Sequence, residues 1–209
     1  MELTWYGLSC FRLTERGHAH IVTDPFNGQV GLKAPKLRAS IVTVSHDAPG
    51  HNNVAAVGGY DYALTGPGEY EIGGVFITAI STTRKPGEWR NVLYVFDFNG
   101  LTVAHLGDMS QVPTQTQIEA LEQVNVLLVP VGGGGSLNAG QAAELVSMLE
   151  PNIVVPMHYD IPGLRLSLDG VERFVNEMGV ADTTAQPSLK IVASRLPEET
   201  NVVLLLPKL

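Results

Sequence analysis

The chain has 209 residues, 44% of them hydrophobic and 16% charged, which supplies one sizeable core and excludes a globally disordered chain. Its net charge of −8, from 13 basic and 21 acidic residues, argues against broad binding to a nucleic-acid backbone or an anionic membrane surface. A single cysteine, Cys10, excludes an internal disulfide and a thiolate metal cluster.

No apolar run approaches the ~20 residues of a bilayer span. The opening Met1-Glu2-Leu3-Thr4-Trp5-Tyr6 has no basic stretch leading into an apolar one, so no signal peptide is expected. These features predict a single cytoplasmic domain over residues 1–209.

In chain order, the first half reads as strands and turns. Residues 11–13, 20–23, 41–44, 62–64 and 75–80 are short β-branched or aromatic runs separated by Gly, Pro and Asn. Residues 91–98 and 101–104 flank Asn99-Gly100, the dipeptide favoured in a two-residue hairpin turn. Residues 66–70, Gly-Pro-Gly-Glu-Tyr, read as a turn. The second half changes period. Residues 114–124 carry a helical stripe of Ile118, Leu121 and Val124, and the wholly apolar 126–131 suits a strand buried on both faces. Asn138 caps a helix to Glu150 with Gln141 at its third position. A strand over 153–157 follows, then a helix capped by Asp169 with Glu172 and running to Met178, and two final strands over 189–193 and 201–206. Strands first and helix–strand alternation after, without a linker, predict two sheets in contact with helices outside.

Of six histidines, His18 and His20 sit in a polar turn that reads as a solvated hairpin end. The other four follow strands. His46 and His51 belong to Val44-Ser45-His46-Asp47-Ala48-Pro49-Gly50-His51, His105 to His105-Leu106-Gly107-Asp108, and His158 to Met157-His158-Tyr159. One histidine at a strand end is most often a polar cap. Three such clusters can converge on one rim of a sheet, and imidazole with carboxylate suits zinc, manganese or iron. The glycine run 132–135 lacks the Lys-Ser/Thr ending of a nucleotide loop and reads as a flexible connection. Arg84, Lys85, Trp89 and Arg90 form a small cationic-aromatic cluster suited to an anion, or a solvated loop.

The sequence resembles the metallo-β-lactamase fold hydrolases, near the branch of ascorbate-phosphate lactonase-like proteins. Trp5-Tyr6-Gly7-Leu8-Ser9-Cys10-Phe11 is similar to that family's opening Gly-His-Ser-Cys-Phe strand, and Thr23-Asp24-Pro25-Phe26 to its Asp-Pro turn. Gly66-Pro67-Gly68-Glu69-Tyr70-Glu71, His105-Leu106-Gly107-Asp108, Pro130-Val131-Gly132-Gly133 and Pro156-Met157-His158-Tyr159 resemble later landmarks in the same order. The resemblance implies an α+β, four-layer αββα sandwich of the metallo-β-lactamase type: two mixed β-sheets packed together with helices outside.

It also implies a ligand set. The family loop reads His-x-His-x-Asp-His, so His46 matches its first ligand and His51 its last, while Ala48 and Gly50 stand where a histidine and an aspartate are expected. Leu8 replaces the histidine of the opening strand, and no histidine occurs near 81–84, where a third ligand belongs. Asp108 matches the bridging aspartate and His158 the final histidine. The metal candidates are therefore His46, His51, Asp108 and His158, with Asp47 and His105 supporting them from behind. At most one Zn, Mn or Fe ion is expected, and none if the fold has been kept only for binding. The readings to separate are a metal-dependent hydrolase of a small ester, lactone or phosphate-bearing substrate, a non-catalytic module for a small ligand or protein partner, and an iron-based redox role. Exposed sheet edges suit self-association as a homo-oligomer.

Overall fold

The computed structural model describes residues 1–82, 91–119, 121, 123–181 and 184–209. The chain opens with β1 (Glu2–Trp5), β2 (Phe11–Thr14) and β3 (Ile21–Thr23), continues through the two-residue β4 (Leu37–Arg38), β5 (Ile41–Thr43) and β6 (Val57–Gly58), and reaches β7 (Tyr62–Leu64). Next come β8 (Gly68–Ile72), β9 (Val75–Ser81), β10 (Val92–Asp97), β11 (Thr102–His105), α1 (Gln115–Glu119), β12 (Val126–Pro130), α2 (Ala139–Leu149), β13 (Ile153–Met157) and α3 (Glu172–Glu177). The short β14 (Leu189–Lys190) and β15 (Asn201–Val202) close the order.

Two mixed sheets form an α+β sandwich. One runs β14-β1-β2-β3-β5-β7, antiparallel as far as β3 and parallel from β3 to β7. The other runs β15-β13-β12-β11-β10-β9-β8, parallel from β15 to β11 and antiparallel beyond. The division does not follow the halves of the sequence, because β8 to β11 belong to the second sheet. Packing joins the sheets: the buried Tyr94 hydroxyl on β10 lies 3.0 Å from the Val44 carbonyl and 2.9 Å from that of Leu64, and Phe11 on β2 meets the His105 ring edge-on. Trp5, Phe11, Leu13, Ile21 and Ile41 from the first sheet share one core with Val103, Leu127, Val129 and Val155 from the second.

Where local chemistry is strong, the elements follow it. Asn99 (φ 55°) and Gly100 (φ 87°) form the expected primed turn, with Asp97 opposite Thr102. Asn138 and Gln141 make a complete capping box on α2. β12 is buried throughout between two parallel neighbours, so neither face needs polar residues.

Three expectations are corrected. The Gly-Pro-Gly-Glu-Tyr turn gives way at Gly68 to an edge strand, β8, whose Glu69 and Glu71 face outward while Tyr70 and Ile72 are half-buried. Asp169 does not cap α3; its carboxylate accepts from Arg173 at 2.8 Å, and Val171 stands at the helix start. Tertiary contacts also trim the last two strands to two residues each, β14 at the edge of one sheet and β15 at the edge of the other. Among the described residues, no helix is long and apolar enough to cross a membrane.

Candidate metal centre

Parallel strands of both sheets deliver the site. Asp24 leaves β3, Ser45 and His46 follow β5, Asp108 follows β11, Ser136 follows β12, and His158 follows β13. Among the described residues, five non-glycine positions have positive φ. Asn99 serves the hairpin and Glu150 caps α2, but Leu8 (47°), Asp24 (40°) and His158 (53°) all surround this rim. Left-handed backbone is costly for residues with a Cβ, and it clusters where surroundings over-determine a geometry. The amide of His158 donates to the Leu8 carbonyl at 3.2 Å, tying two of the three together.

The loop after β5 is a tight turn: the amides of His51 and Asn52 both donate to the Ala48 carbonyl, at 2.9 and 3.1 Å. It brings the imidazoles of His46 and His51 to 4.1 Å between ring centres, with His158 5.3 Å from His51. One donor atom each from His46, His51 and Asp108 lies within 4.8 Å of the others, a group compact enough for one metal ion. His46 Nε2 is 3.7 Å from Asp108 Oδ2, and His158 Nδ1 is 3.8 Å from Asp108 Oδ1. The Asp108 carboxylate thus stands between the loop histidines and His158, one oxygen toward each. As neutral imidazoles with one carboxylate, these donors suit zinc, manganese or iron.

Asp24, fully buried, is the hub behind the loop. Its Oδ1 accepts from the Ser45 amide at 2.7 Å, and its Oδ2 accepts from the Ser45 hydroxyl at 2.6 Å and from His51 Nδ1 at 2.8 Å. His51 therefore carries its hydrogen on Nδ1 and leaves Nε2 for a metal, as ligand histidines require. Burial acts to raise the Asp24 carboxyl, but the bond and charge of His51 hold it below the ordinary range. For His51, burial acts downward and Asp24 overrides it, raising the imidazole. Burial and then the charge of His51 lower His46, while burial, with His51 and His46, brings His158 down to about 4. Burial opposes ionisation of Asp108, but the surrounding histidines and Ser136 keep its carboxyl below the ordinary value.

The turn that carries Asp108 is built by Asn91. Its Oδ1 accepts from the Asp108 amide at 2.8 Å, and its Nδ2 donates to the Leu106 carbonyl at 2.9 Å. Gly107 (φ 62°) is required here, since a Cβ would lie 2.4 Å from both Asn91 Oδ1 and Ser45 Cβ. Gly132 allows a close approach beside His158: its amide donates to the His158 carbonyl at 3.1 Å, and a Cβ would meet that oxygen at 2.3 Å.

Each sequence candidate has a definite place. His46, His51 and Asp108 form the compact group, and His158 sits against it through Asp108 and His51. His105 is fully buried, with Nε2 2.8 Å from the Ser9 carbonyl and Nδ1 accepting from Gly107, so it braces the Asp108 turn and has no nitrogen left for a metal. Asp47 is exposed, bonds Asn52, and lines a cavity of about 440 Å³ with Ser45, His46, Val54, Thr65 and Pro67. Gly50 is buried against Leu8: a Cβ there would lie 3.3 Å from Leu8 Cδ1 and 3.8 Å from Val30 Cγ1. An apolar contact thus lies beneath the loop. The cationic-aromatic cluster of Arg84, Lys85, Trp89 and Arg90 lies outside the described residues. Asp24, Ser45, Asn91 and Ser136 are supporting residues that the histidine pattern did not indicate. Asp24 alone carried a signal, as a carboxylate directly after a β-branched run.

Comparison with known proteins agrees with this architecture. A model of the β-lactamase superfamily domain matches residues 2–158. A Thermotoga maritima protein assigned as a Zn-dependent hydrolase of the metallo-β-lactamase superfamily is 31% identical and superposes with a TM-score of 0.80, covering 98% of this chain and 97% of its own. A UPF0173 metal-dependent hydrolase of Methanoculleus marisnigri is 28% identical over 203 residues, 84% of this chain and 88% of its own. Igni18, a metallo hydrolase from Ignicoccus hospitalis, is 20% identical with a TM-score of 0.68, covering 91% of this chain and 99% of its own, a likeness of fold. The family and sandwich expected from the sequence are both borne out.

Proposed function

Since the chain belongs to the β-lactamase superfamily domain family and has the metallo-β-lactamase fold, we propose that it is a hydrolase dependent on a single metal ion held by His46, His51 and Asp108, with His158 completing the site. The observation that carries this reading is the gathering of those three donor atoms within 4.8 Å of one another. Bound there, a divalent ion supplies Lewis-acid polarisation of a scissile carbonyl or phosphoryl oxygen and lowers the pKa of water toward ~7 in the case of zinc.

The protein residues set the remaining conditions. Asp24 fixes the His51 ring, and Asn91 fixes the Asp108 turn. His46 belongs both to the donor group and to the wall of the 440 Å³ cavity, so a substrate in that cavity lies beside the metal group. That volume suits a small molecule, which we take to be an ester, lactone or phosphate-bearing compound. Gly50 offers no side chain to accept a proton, so general-base help comes from another group at the rim. The reading takes the protein to be cytoplasmic and its ligand a small molecule, in keeping with a net charge of −8.

Metal analysis of protein purified without chelator, repeated after incubation with Zn(II) or Mn(II), tests the proposal. The expected content is one ion per chain, and His158→Ala should abolish tight binding. Two ions per chain would overturn the single-metal site. Absence of metal after incubation would favour a non-catalytic binding module, and undiminished affinity in His158→Ala would remove that residue from the site.

A further inference from the structure

The glycine run reads in sequence as a flexible connection, yet it has a defined course. Gly133, Gly134 and Gly135 take φ values of 65°, 65° and 115°, a succession of left-handed residues that a chain with side chains rarely adopts. The Ser136 amide donates to the Gly133 carbonyl at 3.1 Å, and the Leu137 amide donates to the Met109 carbonyl at 2.8 Å, pinning the loop to the residue after Asp108. The result is a buried Ser136 hydroxyl between two candidate ligands, hydrogen-bonded to Asp108 Oδ1 and 3.2 Å from His158 Nδ1.

A serine hydroxyl has one hydrogen. With that hydrogen given to Asp108, its oxygen can only accept from His158, so the hydrogen of the imidazole is on Nδ1 and the Nε2 lone pair is left over. Ser45 repeats the arrangement on the other side. Its hydroxyl donates to Asp24 Oδ2 and lies 3.2 Å from His46 Nδ1, leaving His46 Nε2 toward Asp108. His51 reaches the same state directly through Asp24. All three histidines are thereby held in one tautomer, by an oxygen on Nδ1.

We propose that Ser136 is a positioning residue for the metal centre: delivered by the glycine run, its hydroxyl orients Asp108 and selects the metal-competent tautomer of His158. The proposal rests on the single-metal reading above but predicts a property of the metal-free protein as well. Partners behind metal ligands typically contribute 10–100-fold to metal affinity.

Two measurements on the full chain test it. In metal-free protein with ¹⁵N-labelled histidine, NMR should find His158 in the Nδ1–H tautomer, Ser136→Ala should shift it toward a mixture, and Ser136→Thr should restore it. A wild-type His158 in the Nε2–H form would overturn the proposal whatever metal binds. In Co(II) titrations followed by visible absorption, Ser136→Ala should bind about 10–100-fold more weakly with an altered spectrum, while Ser136→Thr stays near wild type. Wild-type affinity and spectrum in Ser136→Ala would overturn the positioning role and leave the metal reading intact. Equal loss in the Ala and Thr variants would assign the effect to loop packing and overturn the role of the hydroxyl. A wild type that holds the Nδ1–H tautomer but binds no Co(II) would overturn the single-metal reading, and with it any service of Ser136 to a metal.

Discussion

The two walls of the site are built differently. On the wall from the first sheet, His46 and His51 sit on a loop that has Ala48 and Gly50 at its centre and Leu8 beneath it, and one buried carboxylate, Asp24, holds both histidines through direct and serine-mediated bonds. On the wall from the second sheet, Asp108 and His158 come from separate strands. Asn91, Gly107 and the glycine run hold them by close backbone contact. Apolar packing of Leu8 against Gly50 backs the first wall, while close backbone contacts back the second. The comparison teaches that one buried carboxylate organises the first wall, whereas close backbone packing organises the second.

Cutting the hub of the first wall should have the largest effect. Asp24→Ala strands the Ser45 amide and the His51 Nδ1–H in a fully buried place, and removing one partner of a buried pair costs about 3–5 kcal/mol. Urea unfolding should register that loss together with loss of tight metal binding. A variant of wild-type stability would mean that the loop holds its shape without Asp24, and the contrast between the walls would fail. On the second wall, Gly107→Ala combines left-handed strain with a Cβ placed 2.4 Å from Ser45 and Asn91, and should cost about 2 kcal/mol. Gly100→Ala in the hairpin is its control: φ is likewise positive at 87°, but nothing lies within 4 Å of the new Cβ, so about 1 kcal/mol of strain is expected. Equal costs at the two glycines would show that close packing around the Asp108 turn contributes nothing.

The fold was legible wherever a few neighbouring residues decide the outcome. Asn99-Gly100 fixes its hairpin and Asn138 with Gln141 fixes the start of α2, because both rest on contacts within four positions. β8 was not legible, since Gly68 and two outward glutamates carry little strand signal and the strand depends on pairing with β9. At the site, histidines at strand exits marked the residues that the fold gathers at one rim. The groups behind them stayed hidden because their partners are remote in sequence: Asp24 meets His51 across 27 positions, and Ser136 meets Asp108 across 28. A serine or asparagine is too common in turns for composition to single it out.

The finest test concerns the apolar contact between Leu8 and Gly50. Leu8 and Gly50 make sense only as a pair, for an aspartate at 50 would put its Cβ 3.3 Å from Leu8 Cδ1 and bury a carboxylate among Leu8 and Val30. Gly50→Asp alone should therefore destabilise, whereas Leu8→His with Gly50→Asp gives the new carboxylate a partner. A double-mutant cycle in urea should show favourable coupling of about 1 kcal/mol. Additive effects would mean that the two positions act independently. Even with coupling, the double variant should still bind one metal ion, because Ala48 continues to withhold a donor from the same wall. A second ion in the double variant would locate the restriction to one metal in the Leu8–Gly50 contact itself.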